Sequence, residues 1–286
     1  MRLGKTLIKH SNMKKIELFT DRKGDVTYDI ILFPDGERHI KLTCDIDRKD
    51  WYIINCRIRN GEELFILAQL CDILNRMDVV WELRIWYLMS MRMDRVINFN
   101  ESFSLKVVAN IINALNPRYV GVFEAHSQRS LQLLNHSFNI RNTPMIDFMS
   151  SKLNKSIFCF PDKGAAERYR EYEQFSNIVL SKKRDLNTGK ILGMEVTCLN
   201  ILDEQCDEIV VLDDLCDGGS TFILCAEKLK ELYPDKKLIL YITHAVNIGG
   251  LKRVSKVYDE VHISESYSSY NGINIDNLFV HTINLI

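Results

Sequence analysis

Two hydrophobic rhythms alternate along this chain. Compact apolar runs predict strands, and segments whose apolar positions recur every three or four residues predict helices. Lys14 to Phe19 and Tyr28 to Leu32 read as short strands around the turn Asp21 to Asp25, and His39 to Leu42 as another after a Pro-Asp-Gly turn. Trp51 to Asn55 is a strand. From Gly61 to Met77, residues Leu64, Leu67, Cys71 and Leu74 fall on one face, as a helix requires. Val79 to Met89 reads as a buried central strand. Phe103, Val107, Ile111 and Leu115 mark a helix over 100–115, and Tyr119 to Phe123 a further strand.

After Asn139 the pattern restarts. Strands are predicted at Ser156 to Phe160, Asn177 to Leu180, Lys190 to Leu199, Ile209 to Leu212, Leu238 to Ile242, Val261 to Ile263 and Leu278 to Ile283. Ala165 to Phe175 reads as a helix, as does the stripe Phe222, Cys225, Leu229 and Tyr233, which Pro234 ends. Strands alternating with helices predict an α/β fold with mainly parallel sheets flanked by helices. The repeat predicts two lobes, 1–140 and 141–276, with a closing strand over 277–286 that can return to the first lobe. Ligands of such sheets bind at the carboxyl ends of the strands, where Arg92, His126, Asp162, Lys182 and Asp213 fall.

Composition narrows the class. The chain has 286 residues, 46% hydrophobic and 26% charged, with net charge −1, which excludes an overall basic surface for nucleic acid or anionic membrane. Eight cysteines without paired or metal-type spacing read as buried thiols in a reducing, cytoplasmic setting. No signal-like leader and no apolar run of bilayer length occurs in the sequence.

The chemistry concentrates in Asp207-Glu-Ile-Val-Val-Leu-Asp-Asp-Leu-Cys-Asp-Gly-Gly-Ser-Thr221. An apolar strand meets Asp213 and Asp214, then Asp217, Gly218, Gly219, Ser220 and Thr221 turn into a helix. Free N–H groups at such a turn cradle a phosphate, and paired carboxylates accept hydrogen bonds from a sugar diol. Phosphate beside diol spells a ribose phosphate. Glycine turns also end many ordinary strands, so the aspartate pair carries most of the signal.

This stretch resembles the ribose-phosphate signature shared by type I phosphoribosyltransferases and ribose-phosphate diphosphokinases. With the other segments, the chain is similar over nearly its whole length to the ribose-phosphate diphosphokinase (PRPP synthetase) family, as a divergent short member. The carriers, in order, are Phe33-Pro-Asp-Gly-Glu37, Arg92-Met-Asp-Arg95, Ser104-Leu-Lys-Val-Val-Ala-Asn110, Glu124-Ala-His-Ser127, Pro161-Asp162, Lys182-Lys-Arg184, Asp213 to Thr221, and Thr243-His244. Transferases share only the aspartate loop. Departures are Met93 for glutamine, Glu124 for aspartate, Lys163-Gly-Ala where two glycines follow one residue, Gly218 for threonine, and a first segment without the family's early helix.

The resemblance implies two type I phosphoribosyltransferase-like lobes and diphosphoryl transfer from Mg2+-ATP to the anomeric hydroxyl of ribose 5-phosphate, giving PRPP and AMP. It implies ATP contacts at Phe33, Asp35, Glu37, Arg92, Asp94 and Arg95, with the adenine corner serving a neighbouring subunit of a homodimer or higher homo-oligomer. Lys182, Arg184 and Arg92 would act on the transferred group, and His126 and Asp162 would attend magnesium. Asp213, Asp214, Asp217, Gly218, Gly219, Ser220 and Thr221 would hold the ribose phosphate. Gly218 also leaves room for a 5-substituted ribose such as ADP-ribose, towards NAD salvage. A non-catalytic regulatory relative is the third reading, against which the retained Lys182, Arg184, His126 and Asp162 speak.

Overall fold

The computed structural model describes residues 12–153, 155–184, 191–200 and 206–283, with the backbone alone at Arg184 and Ile191. The chain divides into two compact units, Met1–Arg141 and Asn142–Ile286. In chain order the first runs β1 (Met13–Leu18), β2 (Tyr28–Leu32), β3 (Arg38–Leu42), β4 (Trp51–Ile58), α1 (Gly61–Arg76), β5 (Val80–Leu88), α2 (Ser104–Ala114), β6 (Val120–Phe123), α3 (Gln128–Leu133) and β7 (Ser137–Ile140). Five strands form a parallel sheet in the order β1-β4-β5-β6-β7, while β2 and β3 make a separate antiparallel hairpin.

The register explains the core. Ile16 pairs with Ile54, Ile54 with Leu83 and Leu83 with Val120, a fully buried row across four strands. Each such side chain contributes roughly 1.5–3 kcal/mol on burial. Helix α1 starts where Asn60 accepts from the Glu63 N–H at 2.9 Å while the Glu63 carboxylate accepts from the Arg59 N–H at 2.7 Å, and it buries Leu64, Leu67, Leu70, Cys71 and Leu74.

The second unit runs α4 (Thr143–Lys152), β8 (Ser156–Phe160), α5 (Lys163–Arg168), β9 (Asn177–Arg184), β10 (Ile191–Asn200), β11 (Glu208–Cys216), α6 (Ser220–Leu232), β12 (Lys237–Ala245), α7 (Ile248–Val254), β13 (Glu260–Ser264) and β14 (Leu278–His281). Its seven strands lie in the order β10-β9-β8-β11-β12-β13-β14, with β10 antiparallel to β9 and the rest parallel. Strand β11 is buried on both faces. Ile209 and Val211 join a cluster with Phe222, Cys225 and Leu229 of α6, and Val210 and Leu212 join one with Met145 and Met149 of α4 and Ala165 of α5.

Several sequence expectations are corrected here. The closing strand does not return to the first unit: β14 pairs with β13, and Asn277 fixes its start by donating to the Ser255 and Tyr258 carbonyls at 2.9 and 2.8 Å. The helix expected over 165–175 stops at Arg168, because Tyr169 leaves helical space (φ −106°, ψ 31°), and a 3-10 turn, Arg170–Tyr172, follows. Strand β9 runs on through Lys182 and Lys183, and β11 through the aspartates to Cys216. Helices α3, α4 and α7, with 6, 10 and 7 residues, are too short for a clear periodicity. Lys190, where the next strand was expected to begin, lies outside the described residues. No helix among the described residues is long and apolar enough to cross a membrane.

Candidate active site

The second unit assembles a polar site at the carboxyl edge of its sheet. Strand β8 ends at Pro161-Asp162, β9 carries Lys182, β11 carries Asp213 and Asp214, and β12 ends in Thr243-His244-Ala245. After β11 the chain turns through Asp217 and Gly218 to Gly219, which sits in the left-handed region (φ +77°). A side chain there would be strained and its Cβ would lie 2.8 Å from Val254 Cγ1 and 3.0 Å from the Gly250 carbonyl. Helix α6 begins at once, with no side-chain cap and no acidic residue in its first turn. The opening N–H groups of the helix are therefore left for a ligand, and the helix dipole favours an anion there.

Helix α7 buttresses this turn. The Asn247 side chain accepts from the N–H groups of Gly249 and Gly250 at 2.8 and 3.3 Å, and its Nδ2 donates to Asp217 Oδ1 at 3.2 Å. Arg253 donates to the Gly218 carbonyl at 2.7 Å and to Ser220 Oγ at 3.4 Å. A Cβ on Gly250 would lie 1.7 Å from the Asp217 carbonyl oxygen, so only glycine lets the helix approach so closely. Gly218 differs: a Cβ added there meets nothing within 4 Å.

The aspartates are engaged from α5. Arg168 lies 3.0 Å from Asp213 Oδ1 and 2.7 Å from Asp214 Oδ1, and all three side chains are largely buried. Burial, then the adjacent Asp214, pushes the Asp213 carboxyl well above the usual carboxylate range, against the pull of Arg168. Burial lowers the pKa of the Arg168 guanidinium, but Asp214 and the other anions around it more than offset this. Burial first, then Asp213 and Asp162, raises the Cys225 thiol on α6, while Lys182 opposes them.

Asp162 is exposed and caps α5, accepting from the Ala165 N–H at 2.9 Å through Oδ1. Lys182 is half-buried, and the Arg184 side chain lies outside the described residues. Thr243 and His244 are buried, and their bonds go to the protein: Thr243 Oγ1 accepts from Asn142 at 3.2 Å, and His244 Nδ1 lies 2.8 Å from Ser266 Oγ.

The first unit places its candidates at three corners. Phe33, Asp35 and Glu37 form the tip of the β2–β3 hairpin, closed by Phe33 N–H to the Glu37 carbonyl at 2.8 Å and Glu37 N–H to Asp35 Oδ1 at 3.0 Å. Phe33 is 44% exposed there, too open for a core residue. Arg92 and Arg95 are exposed beyond β5, with Arg95 3.6 Å from Asp94. His126 is half-buried after β6, two residues beyond Glu124, which is buried with φ +43°. Such strain at a strand end persists only where the surroundings enforce it. No group of three or more His, Cys, Asp or Glu among the described residues could hold a metal by itself.

Arg168, Asn247 and Arg253 were not anticipated from the sequence. Arg168 ends a helix, where a basic residue needs no further explanation, and its partner Asp213 lies 45 positions away. Only the Asn247-Ile-Gly-Gly spacing, a helix cap beside two small residues, was open to a local reading.

A mainly parallel sheet with an aspartate pair and a left-handed glycine turn at its carboxyl edge makes this an α/β protein with a site suited to an anion. No family model matches the chain. Among its relatives, the ribose-phosphate pyrophosphokinase of Pyrococcus furiosus is 26% identical over 268 residues, covering 91% of this chain and 93% of that protein. The ribose-phosphate pyrophosphokinase of Sulfolobus acidocaldarius is 28% identical over 229 residues, covering 75% of each, and that of Campylobacter jejuni 26% over 246, covering 82% and 77%. The phosphoribosylpyrophosphate synthetase of Mycobacterium smegmatis shares the fold, with a TM-score of 0.73 at 14% identity over 90% of this chain and 86% of that one. Over most of its length the chain is thus similar to ribose-phosphate pyrophosphokinases of archaea and bacteria.

Proposed function

We propose that the protein transfers the β,γ-diphosphoryl group of ATP to the anomeric hydroxyl of ribose 5-phosphate, giving PRPP and AMP. The observation that carries this reading is the uncapped N-terminus of α6 behind Gly219, next to an aspartate pair on β11. The 5-phosphate binds the turn Asp217 to Thr221, and the ribose hydroxyls face the carboxylates. The anomeric oxygen forms a bond to the β-phosphorus while the bond from that phosphorus to the oxygen of AMP breaks. Such transfer asks for positioning and charge neutralisation more than covalent help. Lys182 and Arg184 meet the charge of the transferred group, and Arg92, Asp94 and Arg95 with Phe33, Asp35 and Glu37 receive the nucleotide.

Magnesium fits this donor set as a phosphate-bound ion. Asp162 is exposed and uses only Oδ1 in capping α5, and hard cations of this kind keep waters and substrate oxygens beside one or two carboxylates. Asp162 would hold it, and when bound it would neutralise polyphosphate charge. The exposed Leu32 and Phe33 of the hairpin tip support a homo-oligomer in which this corner serves a neighbouring subunit. Eight free cysteines support a reducing cytoplasm.

The open space over Gly218, with Arg253 at its rim, favours a second reading in which the acceptor is a 5-substituted ribose such as ADP-ribose. AMP release from magnesium and ATP, compared with ribose 5-phosphate and ADP-ribose as acceptors, separates the two. No AMP with either would leave the non-catalytic reading standing.

A further inference from the structure

We infer that the adjacent aspartates have unequal roles, set by Arg168: Asp213 presents the sugar-accepting oxygen, whereas Asp214 is the buried counter-charge that holds Arg168. This rests on the ribose-phosphate reading of the β11 edge and divides the labour within it.

The asymmetry is geometric. Asp213 Oδ1 is occupied twice, by Arg168 at 3.0 Å and by the backbone N–H of Asp214 at 2.8 Å. These two bonds fix the carboxylate plane and leave Oδ2 as its unengaged acceptor. Asp214 is 3% exposed at its side chain against 16% for Asp213, and its Oδ1 makes the shorter contact with Arg168, 2.7 Å. A carboxylate so enclosed cannot reach a sugar hydroxyl without moving, but it can keep a guanidinium in place. Both contacts run through the same guanidinium nitrogen, Nη1, so one cationic group ties the two carboxylates together. Arg168 is therefore a positioning residue. It acts on the sugar through Asp213, and it offsets one of two adjacent negative charges beside a site for an anionic sugar.

Sequence position hides this division, since Asp213 and Asp214 are identical neighbours. It is the α5 end, stopped by Tyr169, that brings Arg168 to β11.

The test uses the full chain and Asp213→Asn, Asp214→Asn, Arg168→Met and Arg168→Lys. Thermal melts, calorimetric binding of ribose 5-phosphate alone, and KM for ribose 5-phosphate and for ATP are measured for each. Asp213→Asn should weaken ribose 5-phosphate binding about tenfold or more with a near-wild-type melt, as expected for one charged hydrogen bond. Asp214→Asn should chiefly lower the melting temperature. Arg168→Met should weaken sugar binding about tenfold while leaving the KM for ATP unchanged, and methylguanidinium in solution should restore part of that loss but none of the loss in Asp213→Asn. Arg168→Lys, which keeps the charge, provides a folded variant should Arg168→Met not fold, and should show an intermediate loss. Wild-type sugar affinity in a folded Arg168→Met or Arg168→Lys would overturn the inference. So would an Asp214→Asn variant that melts like wild type yet loses sugar binding. A wild-type chain that binds ribose 5-phosphate but releases no AMP would sink the proposed transfer and leave these roles intact. One that releases AMP with Arg168→Met unimpaired would do the reverse, and one that does not bind ribose 5-phosphate would overturn both.

Discussion

Replacing Gly250 by alanine tests the buttress behind the phosphate turn. The added Cβ would sit 1.7 Å from the Asp217 carbonyl oxygen and 3.1 Å from the Gly218 carbonyl carbon, where real Cβ contacts essentially never fall below 3.0 Å. The obstacle is backbone, so a rotamer change cannot relieve it. Helix α7 and the turn must separate by more than an ångström, and the Asn247–Asp217 and Arg253–Gly218 bonds, at 3.2 and 2.7 Å, stretch with them. Overpacking of this kind costs about 1–3 kcal/mol of stability. Misplacing a binding group by about 1 Å can cost about a hundredfold in rate, so the larger effect should be on kcat/KM for ribose 5-phosphate. Gly218→Ala is the control, since its Cβ meets nothing within 4 Å and should leave the melt unchanged. The assay is denaturant unfolding with steady-state AMP release. Wild-type stability and wild-type kcat/KM in Gly250→Ala would refute the buttress.

Three further outcomes are expected. Lys182→Ala should lower kcat for AMP release by far more than it weakens ribose 5-phosphate binding, and equal losses would count against its role on the transferred group. Stability should fall as pH drops from about 6.5 towards 4. Burial holds His281 at about 4 and lowers His262, so the unfolded chain binds protons that the folded one excludes; stability is full above the unfolded value and lost below it. The two imidazoles share a 2.9 Å hydrogen bond that needs one of them as acceptor, and His281→Gln should flatten the pH dependence of urea unfolding. In native protein a thiol reagent should modify Cys198 first and Cys44 next, the other six cysteines being buried; six or more fast-reacting thiols would contradict this core.

Much of the architecture was legible because long elements carry their period in their own residues: α1, β5 and β11 follow directly from apolar spacing. Short elements do not. Helix α7, with two glycines, shows little amphipathic stripe, and its position is fixed by a close approach to Asp217 that only coordinates reveal. The aspartate pair and glycine turn were readable because a phosphate site needs contiguous backbone. Arg168 was not, because its partners come from another strand. The closing strand was open to either sheet, since its short apolar run carries no label of its neighbour, and Asn277 decides it through hydrogen bonds to two carbonyls.

The transfer itself is tested most directly by phosphorus NMR of ATP, magnesium and ribose 5-phosphate incubated with the protein. AMP should appear together with a new diphosphate attached at the anomeric carbon, in equal amounts, and neither product with Lys182→Ala at the same concentration. ADP with a singly phosphorylated product, or unchanged ATP with both ribose 5-phosphate and ADP-ribose, would contradict it.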